Sequence, residues 1–133
     1  MYEISKTFSF DSSHRLNNNN LCEEENKEIF GKCNNKPSHG HTYKMIVYLR
    51  SNIVELENGM IMNFSELKKI VNKEIIDKFD HEFLNDKMPE LNGLTTAENM
   101  CKLIYRKLKP LVRTLNKIEL WETPTSMANY SEE

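Results

Sequence analysis

The run from His39 to Leu49 constrains the fold more than any other stretch. Tyr43-Lys44-Met45-Ile46-Val47-Tyr48-Leu49 is rich in β-branched and aromatic residues and holds no Gly or Pro. It reads as a strand over about residues 40–50. Side chains on a strand share a face at every second residue. His39 and His41 therefore aim the same way, and one metal ion can take an imidazole from each. Cys33 stands six positions before the first of them. His-x-His on a strand is half of a zinc site, so the other half has to come from elsewhere in the chain.

Residues 2–14 supply a partner strand. Phe8, Phe10, Ser12 and His14 share one parity, and Thr7, Ser9, Asp11 and Ser13 the other. Paired beside the first strand, this one brings His14 next to His39 and His41. Residues 16–38 read as a loop with a polar run at Asn17 to Asn20. Glu23-Glu24-Glu25 starts a helical turn ending near Phe30. Such acidic runs are usually solvated. Asn58-Gly59 marks a tight turn, and Met60-Ile61-Met62 reads as a short edge piece.

Two helices follow. The first spans about Ser65 to Phe79, with Leu67, Ile70, Val71, Ile75 and Phe79 as an apolar stripe broken by Glu74. Asn63-Phe64-Ser65-Glu66 has capping-box spacing. The second starts at Thr95, where Thr95-Thr96-Ala97-Glu98 repeats that spacing. Ala97, Met100, Cys101, Ile104, Leu108 and Leu111 form its apolar face, and Pro110 ends it. Cys101, on that face, reads as a small buried apolar residue. Lys117 to Thr123 is a third strand, with Ile118, Leu120 and Glu122 on one side, and Met127 to Ser131 a fourth. The order β–β–α–α–β–β predicts an α+β fold, an antiparallel four-stranded sheet with both helices on one face. Residues 1–133 make one domain.

Composition excludes several classes. A net charge of −2 does not suit an electrostatic nucleic-acid binder. No apolar run approaches a membrane span, and no signal peptide precedes Tyr2. Three cysteines, an odd number without a secretory signal, point to a reducing cytoplasm.

Three imidazoles without a fourth protein ligand describe a catalytic zinc site with an open position. Copper or iron also accept such a set. A structural site from Cys22, Cys33, His39 and His41 competes, but its C-x10-C-x5-H-x-H spacing lacks the close pairs of structural zinc modules. Lys32 beside Cys33 favours the thiolate. Asp80-His81 at a helix end offers a carboxylate that fixes an imidazole tautomer. Glu122 reads either as an exposed strand residue or as a two-point grip on the amidine-like edge of a 2-amino-4-oxo pterin ring.

Taken together, these segments resemble the 6-pyruvoyl-tetrahydropterin synthase and 6-carboxytetrahydropterin synthase family. The resemblance rests on Phe8-Ser9-Phe10-Asp11-Ser12-Ser13-His14-Arg15-Leu16, Phe30-Gly31-Lys32-Cys33-Asn34-Asn35, His39-Gly40-His41, Leu84 after Asp80-His81, Thr95-Thr96-Ala97-Glu98-Asn99 and Trp121-Glu122-Thr123. It implies the tunnelling fold, assembled as trimers stacked into a homohexamer with active sites at subunit interfaces. It also implies His14, His39 and His41 as zinc ligands, Cys33 as general base, and Asp80 with His81 as the rest of a proton relay. Glu122 would then anchor a pterin, with the Thr95-Thr96 backbone lining the pocket.

The implied substrate is 7,8-dihydroneopterin triphosphate, which loses triphosphate by elimination. Arg15, Lys32 and Lys36 are candidates for the triphosphate by charge alone. The Cys-x5-His-Gly-His spacing resembles the pyruvoyl-forming branch, whereas Trp121-Glu122-Thr123-Pro124-Thr125-Ser126 resembles the carboxy-forming enzymes of queuosine synthesis. A non-catalytic pterin- or purine-binding protein of the same fold is the remaining alternative.

Overall fold

The computed structural model describes residues 1–133. Its frame is one antiparallel sheet in the order β1-β2-β3-β4. The strands are β1 (Tyr2–His14), β2 (His39–Ser51), β3 (Leu115–Thr123) and β4 (Ser126–Tyr130). Between β1 and β2 lie helix α1 (Glu23–Phe30) and a 3-10 turn, Gly31–Asn34. Between β2 and β3 come α2 (Phe64–Val71), a wide π turn (Asn72–Ile76), α3 (Asp77–Phe79), α4 (Leu84–Lys87) and α5 (Ala97–Leu108).

The alternation of the strands sets which face is buried. Phe8 and Phe10 of β1, Tyr43, Met45, Val47 and Leu49 of β2, and Ile118 and Leu120 of β3 point into one core. From the helices come Leu67, Val71, Ile75, Phe79, Met100, Ile104 and Leu108. The four α2–α3 residues recur every fourth position, a spacing that drifts around a helix of about 3.6 residues per turn. The π turn at Asn72–Ile76 takes up that drift and keeps all four on the core side.

Several expectations need correction. Met60-Ile61-Met62 forms no strand; the backbone turns there, with Glu55 N–H donating to the Met60 carbonyl at 2.9 Å. The cap of α5 is Thr96, whose hydroxyl accepts from Asn99 N–H at 3.2 Å, so the capping position lies one residue later than Thr95. Leu111 falls beyond the helix and is exposed. Chain-terminating geometry before Pro110 explains this, because α5 ends at Leu108.

The polar loop after β1 is more ordered than its composition suggests. Asn26 of α1 is buried; its Oδ1 accepts from Asn18 N–H at 2.7 Å and its Nδ2 donates to the Asn18 carbonyl at 3.0 Å. Gly93, at φ 85, presses on this loop. A Cβ there would lie 2.0 Å from the Asn17 carbonyl oxygen.

Candidate active site

The core rows of three strands run out into polar residues at the same end of the sheet. In β1 the row Phe8, Phe10, Ser12 ends at His14. In β2 the row begins at His39 and His41 and continues as Tyr43 and Met45. In β3 the row Ile118, Leu120 ends at Glu122. Strand register does the rest: His14 pairs with His39 and Ser12 with His41.

The result is a cluster of four side chains whose ligand atoms lie within 4.8 Å of one another: His14, His39, His41 and Glu122. Ring centroids are 4.6 Å apart for His14 and His39, 4.9 Å for His39 and His41, and 5.1 Å for His14 and His41. Nε2 of His14 and Nε2 of His41 each lie 3.2 Å from Oε1 of Glu122. Both nitrogens are nevertheless buried without a well-directed hydrogen-bond partner. Buried polar atoms in native folds nearly always have partners. Two such nitrogens aimed at one point suit a cation better than they suit each other.

The protonation states agree with ligation. Nδ1 of His14 lies 2.8 Å from the Thr95 carbonyl oxygen, which can only accept. The proton therefore sits on Nδ1 and the lone pair of Nε2 faces the cluster. Burial, reinforced by the neighbouring imidazoles, pushes His39 below its ordinary value. Burial does the same for His41, although Glu122 opposes it. Glu122 Oε1 lies against the same two imidazole nitrogens, so its carboxylate faces the point that they face. Neutral imidazoles and an ionised carboxylate are the forms that bind a divalent metal. The set fits zinc, with three nitrogens and an oxygen donor in reach.

Glu122 thus stands on the histidine cluster itself. It also borders two cavities. One, of about 420 Å³, is lined by Ala97, Glu98 and β4 residues. The other, of about 440 Å³, is lined by His41, Thr42, Lys44 and Trp121. Glu98, in the first turn of α5, carries no site role in the sequence reading, where it stands only in the capping pattern. Its place beside the Thr95-Thr96 pair was the available signal. Thr95 is fully buried with its carbonyl turned to His14, and Thr96 is spent on the helix cap.

Cys33 and the Asp80–His81 pair lie apart from the four-residue cluster. Cys33 is exposed in the 3-10 turn, and its carbonyl accepts from Leu16 N–H at 2.9 Å. Asp80 and His81 run along the outer edge of β1. Asp80 Oδ1 accepts from Asp11 N–H at 2.8 Å, and His81 N–H donates to the Asp11 carbonyl at 2.6 Å. His81 Nδ1 sits 3.0 Å from Asp80 Oδ2, with its backbone at φ 60. Asp80 is held below its ordinary value first by the Asp11 N–H and then by His81, against burial.

Of the three basic candidates, Arg15 and Lys36 line one polar cavity of about 530 Å³ with Glu23, Glu24, Lys27, Asn34 and Asn35. Lys36 is paired there with Glu23 at 2.7 Å. Lys32 lies outside that lining. A roomier apolar hollow of about 610 Å³ lies between Tyr2, Val54 and Phe64, far along the chain from the histidines. Volume alone does not locate the chemistry.

Comparisons with known proteins converge. The sequence model of the family described as 6-pyruvoyl tetrahydropterin synthase matches residues 3–133. A 6-pyruvoyl tetrahydrobiopterin synthase of Dictyostelium discoideum is 42% identical over 91% of this chain and 89% of its own. A 6-carboxy-5,6,7,8-tetrahydropterin synthase of Haemophilus influenzae is 36% identical over 99% of this chain and all of its own (100%). Among solved structures, Caenorhabditis elegans 6-pyruvoyl tetrahydropterin synthase superimposes with a TM-score of 0.91 at 32% identity, over 99% of this chain and 96% of that one.

Proposed function

The chain belongs to the 6-pyruvoyl tetrahydropterin synthase family, and from that premise we propose that it is a zinc-dependent carbon–oxygen lyase converting 7,8-dihydroneopterin triphosphate to 6-pyruvoyl-tetrahydropterin. The observation that carries this reading is the meeting of three imidazoles and a carboxylate at one point, two of the nitrogens buried and unpartnered. His14, His39 and His41 would hold the zinc, which would supply Lewis acidity toward the side-chain hydroxyls of the pterin.

The chain's own residues do the rest. The Thr95 carbonyl fixes the His14 tautomer, so that Nε2 is free to ligate. Glu122, ionised, accepts two N–H donors from the amino-oxo edge of the pterin and so orients it, with Thr95 and Thr96 beside it at the head of α5. Cys33 takes the proton from the hydroxyl-bearing side-chain carbon next to the ring. His81, steered by Asp80, returns a proton to the ring as its C=N bond is reduced. Loss of the proton from the second hydroxyl-bearing carbon then forms a C=C bond as the C–O bond to triphosphate breaks, and the resulting enol takes up a proton at its terminal carbon to become the ketone.

β1 and β4 are the outer strands of the sheet. Such edges support assembly through strand edges into a homohexamer, a dimer of trimers, with each active site completed at a subunit interface. The three free cysteines suit a reducing cytoplasm. No helix is long and apolar enough to cross a membrane.

A second reading shares every step except the product. The Haemophilus influenzae relative, matched over its whole length, supports 6-carboxy-5,6,7,8-tetrahydropterin. Mass identification of the product from dihydroneopterin triphosphate and zinc-loaded protein decides between them. Pterin binding without turnover would reject both and leave a binding protein.

A further inference from the structure

Asn34 is 5% exposed, although its neighbour Cys33 is open to solvent. Its Nδ2 donates to the Leu16 carbonyl at 2.8 Å and to Asn17 Oδ1 at 3.0 Å. Its main-chain carbonyl accepts from Arg15 Nε at 2.6 Å, and its Oδ1 from Arg15 Nη2 at 3.4 Å. The Leu16 N–H bond to the Cys33 carbonyl completes the set. The turn bearing Cys33 is therefore strapped to residues 15–17, directly after His14. Arg15 is fixed in turn: Asn85 Oδ1 accepts its N–H at 3.0 Å, and Asn85 Nδ2 donates to its carbonyl at 2.7 Å. A guanidinium and an asparagine held this firmly form a mount.

From this arrangement we infer that Asn34 is a positioning residue that sets the Cys33 thiol against the His14 end of β1, and that it acts on the rate of proton transfer and leaves pterin affinity alone. The inference rests on the reading of Cys33 as the base. A base works only within hydrogen-bond reach of the proton that it takes. Deleting the Asn34 amide frees the turn from the Leu16 carbonyl, and the thiol loses its fixed address.

The test uses the zinc-loaded, full-length protein with dihydroneopterin triphosphate. Asn34→Ala, Asn34→Asp and Asn17→Ala are compared with wild type and with Cys33→Ala. Turnover is scaled to the folded, zinc-bearing fraction, and iodoacetamide alkylation of Cys33 is mapped by mass spectrometry. Asn34→Ala should lose between about 10-fold and 100-fold in kcat, the range expected for an ångström of misplacement. KM should hold within about twofold, the mark of a loss confined to the transition state. The Cys33 alkylation rate should change while that of Cys22 does not. Asn34→Asp, which keeps the size and loses the donors, should follow Asn34→Ala. Asn17→Ala removes one acceptor of the Asn34 amide and should show the same split, smaller in size, if the alanine variant folds poorly. Unchanged kcat per folded chain, or a raised KM at constant kcat, overturns the inference. If Cys33→Ala turns over like wild type, the base assignment fails and takes the inference with it. If Cys33→Ala is inert while the Asn34 variants are fully active, the inference alone fails.

Discussion

His14 and His39 face each other across the β1–β2 pair, directly in register, with ring centroids 4.6 Å apart. One slip of register would send one of them to the other side of the sheet. The pairing that fixes the fold therefore also assembles the histidine cluster that could hold a metal ion. Wild-type protein should bind one zinc per chain. His39→Ala should lose it, and Cys22→Ser with Cys33→Ser should keep it. Metal analysis after dialysis checks this; zinc retained by His39→Ala would remove the cluster from consideration.

Emptied of metal, the cluster makes stability depend on pH. His39 and His41 titrate lower in the fold than in the unfolded chain. Below about pH 6.5, the ordinary imidazole value, the unfolded state takes up protons that the fold refuses. Stability is thus fully present above that value and is lost as pH falls through the lowered folded values. Metal-free protein should show a Tm that declines from pH 8 to pH 5, and His39→Ala should flatten the decline. A slope that is the same in both proteins would place the titration elsewhere.

Glu122→Gln separates substrate from metal. A neutral amide cannot accept both donors of the pterin edge, so pterin affinity should fall by about 10-fold or more, the loss expected for a charge-assisted pair. Zinc content should stay near one per chain, held by the three histidines. Calorimetric titration with a pterin and metal analysis of the same sample read the two effects apart. Unchanged pterin affinity would end the anchoring role, and loss of zinc would make Glu122 a ligand.

Gly93→Ala should destabilise the fold by about 3 kcal/mol, combining left-handed backbone cost with overpacking. The new methyl would have to displace the Asn17 carbonyl, which lies 2.0 Å from its position. Urea denaturation measures the change; a loss below about 1 kcal/mol would mean that the loop gives way freely.

Much of this was legible beforehand because β1 and β2 are long and alternate cleanly. Thirteen residues of period two leave little choice of face, and His14, His39 and His41 inherit their positions from Phe10 and Tyr43. Cys101 is another such case: buried on α5, with its thiol pushed up to about 12 by that burial. What stayed hidden depends on contacts between distant segments. Glu122 shares a row with Ile118 and Leu120, but only the pairing of β2 with β3 puts it on the histidines. Asn34 and Asn85 look like ordinary loop asparagines until their amides are seen closing on residues 15–17. The shift of the α5 cap from Thr95 to Thr96 has the same origin, since the Thr95 hydroxyl donates to Asn85 and its carbonyl faces His14.

The backbone of His81, at φ 60, narrows what evolution can place there. Branched and bulky residues resist that conformation, whereas Gly, Asn, Asp and His enter it more easily. Of these four, only imidazole trades protons near neutrality. Under the proposed proton-relay role of His81, main-chain shape and acid–base duty would be two separate filters that together leave one amino acid standing.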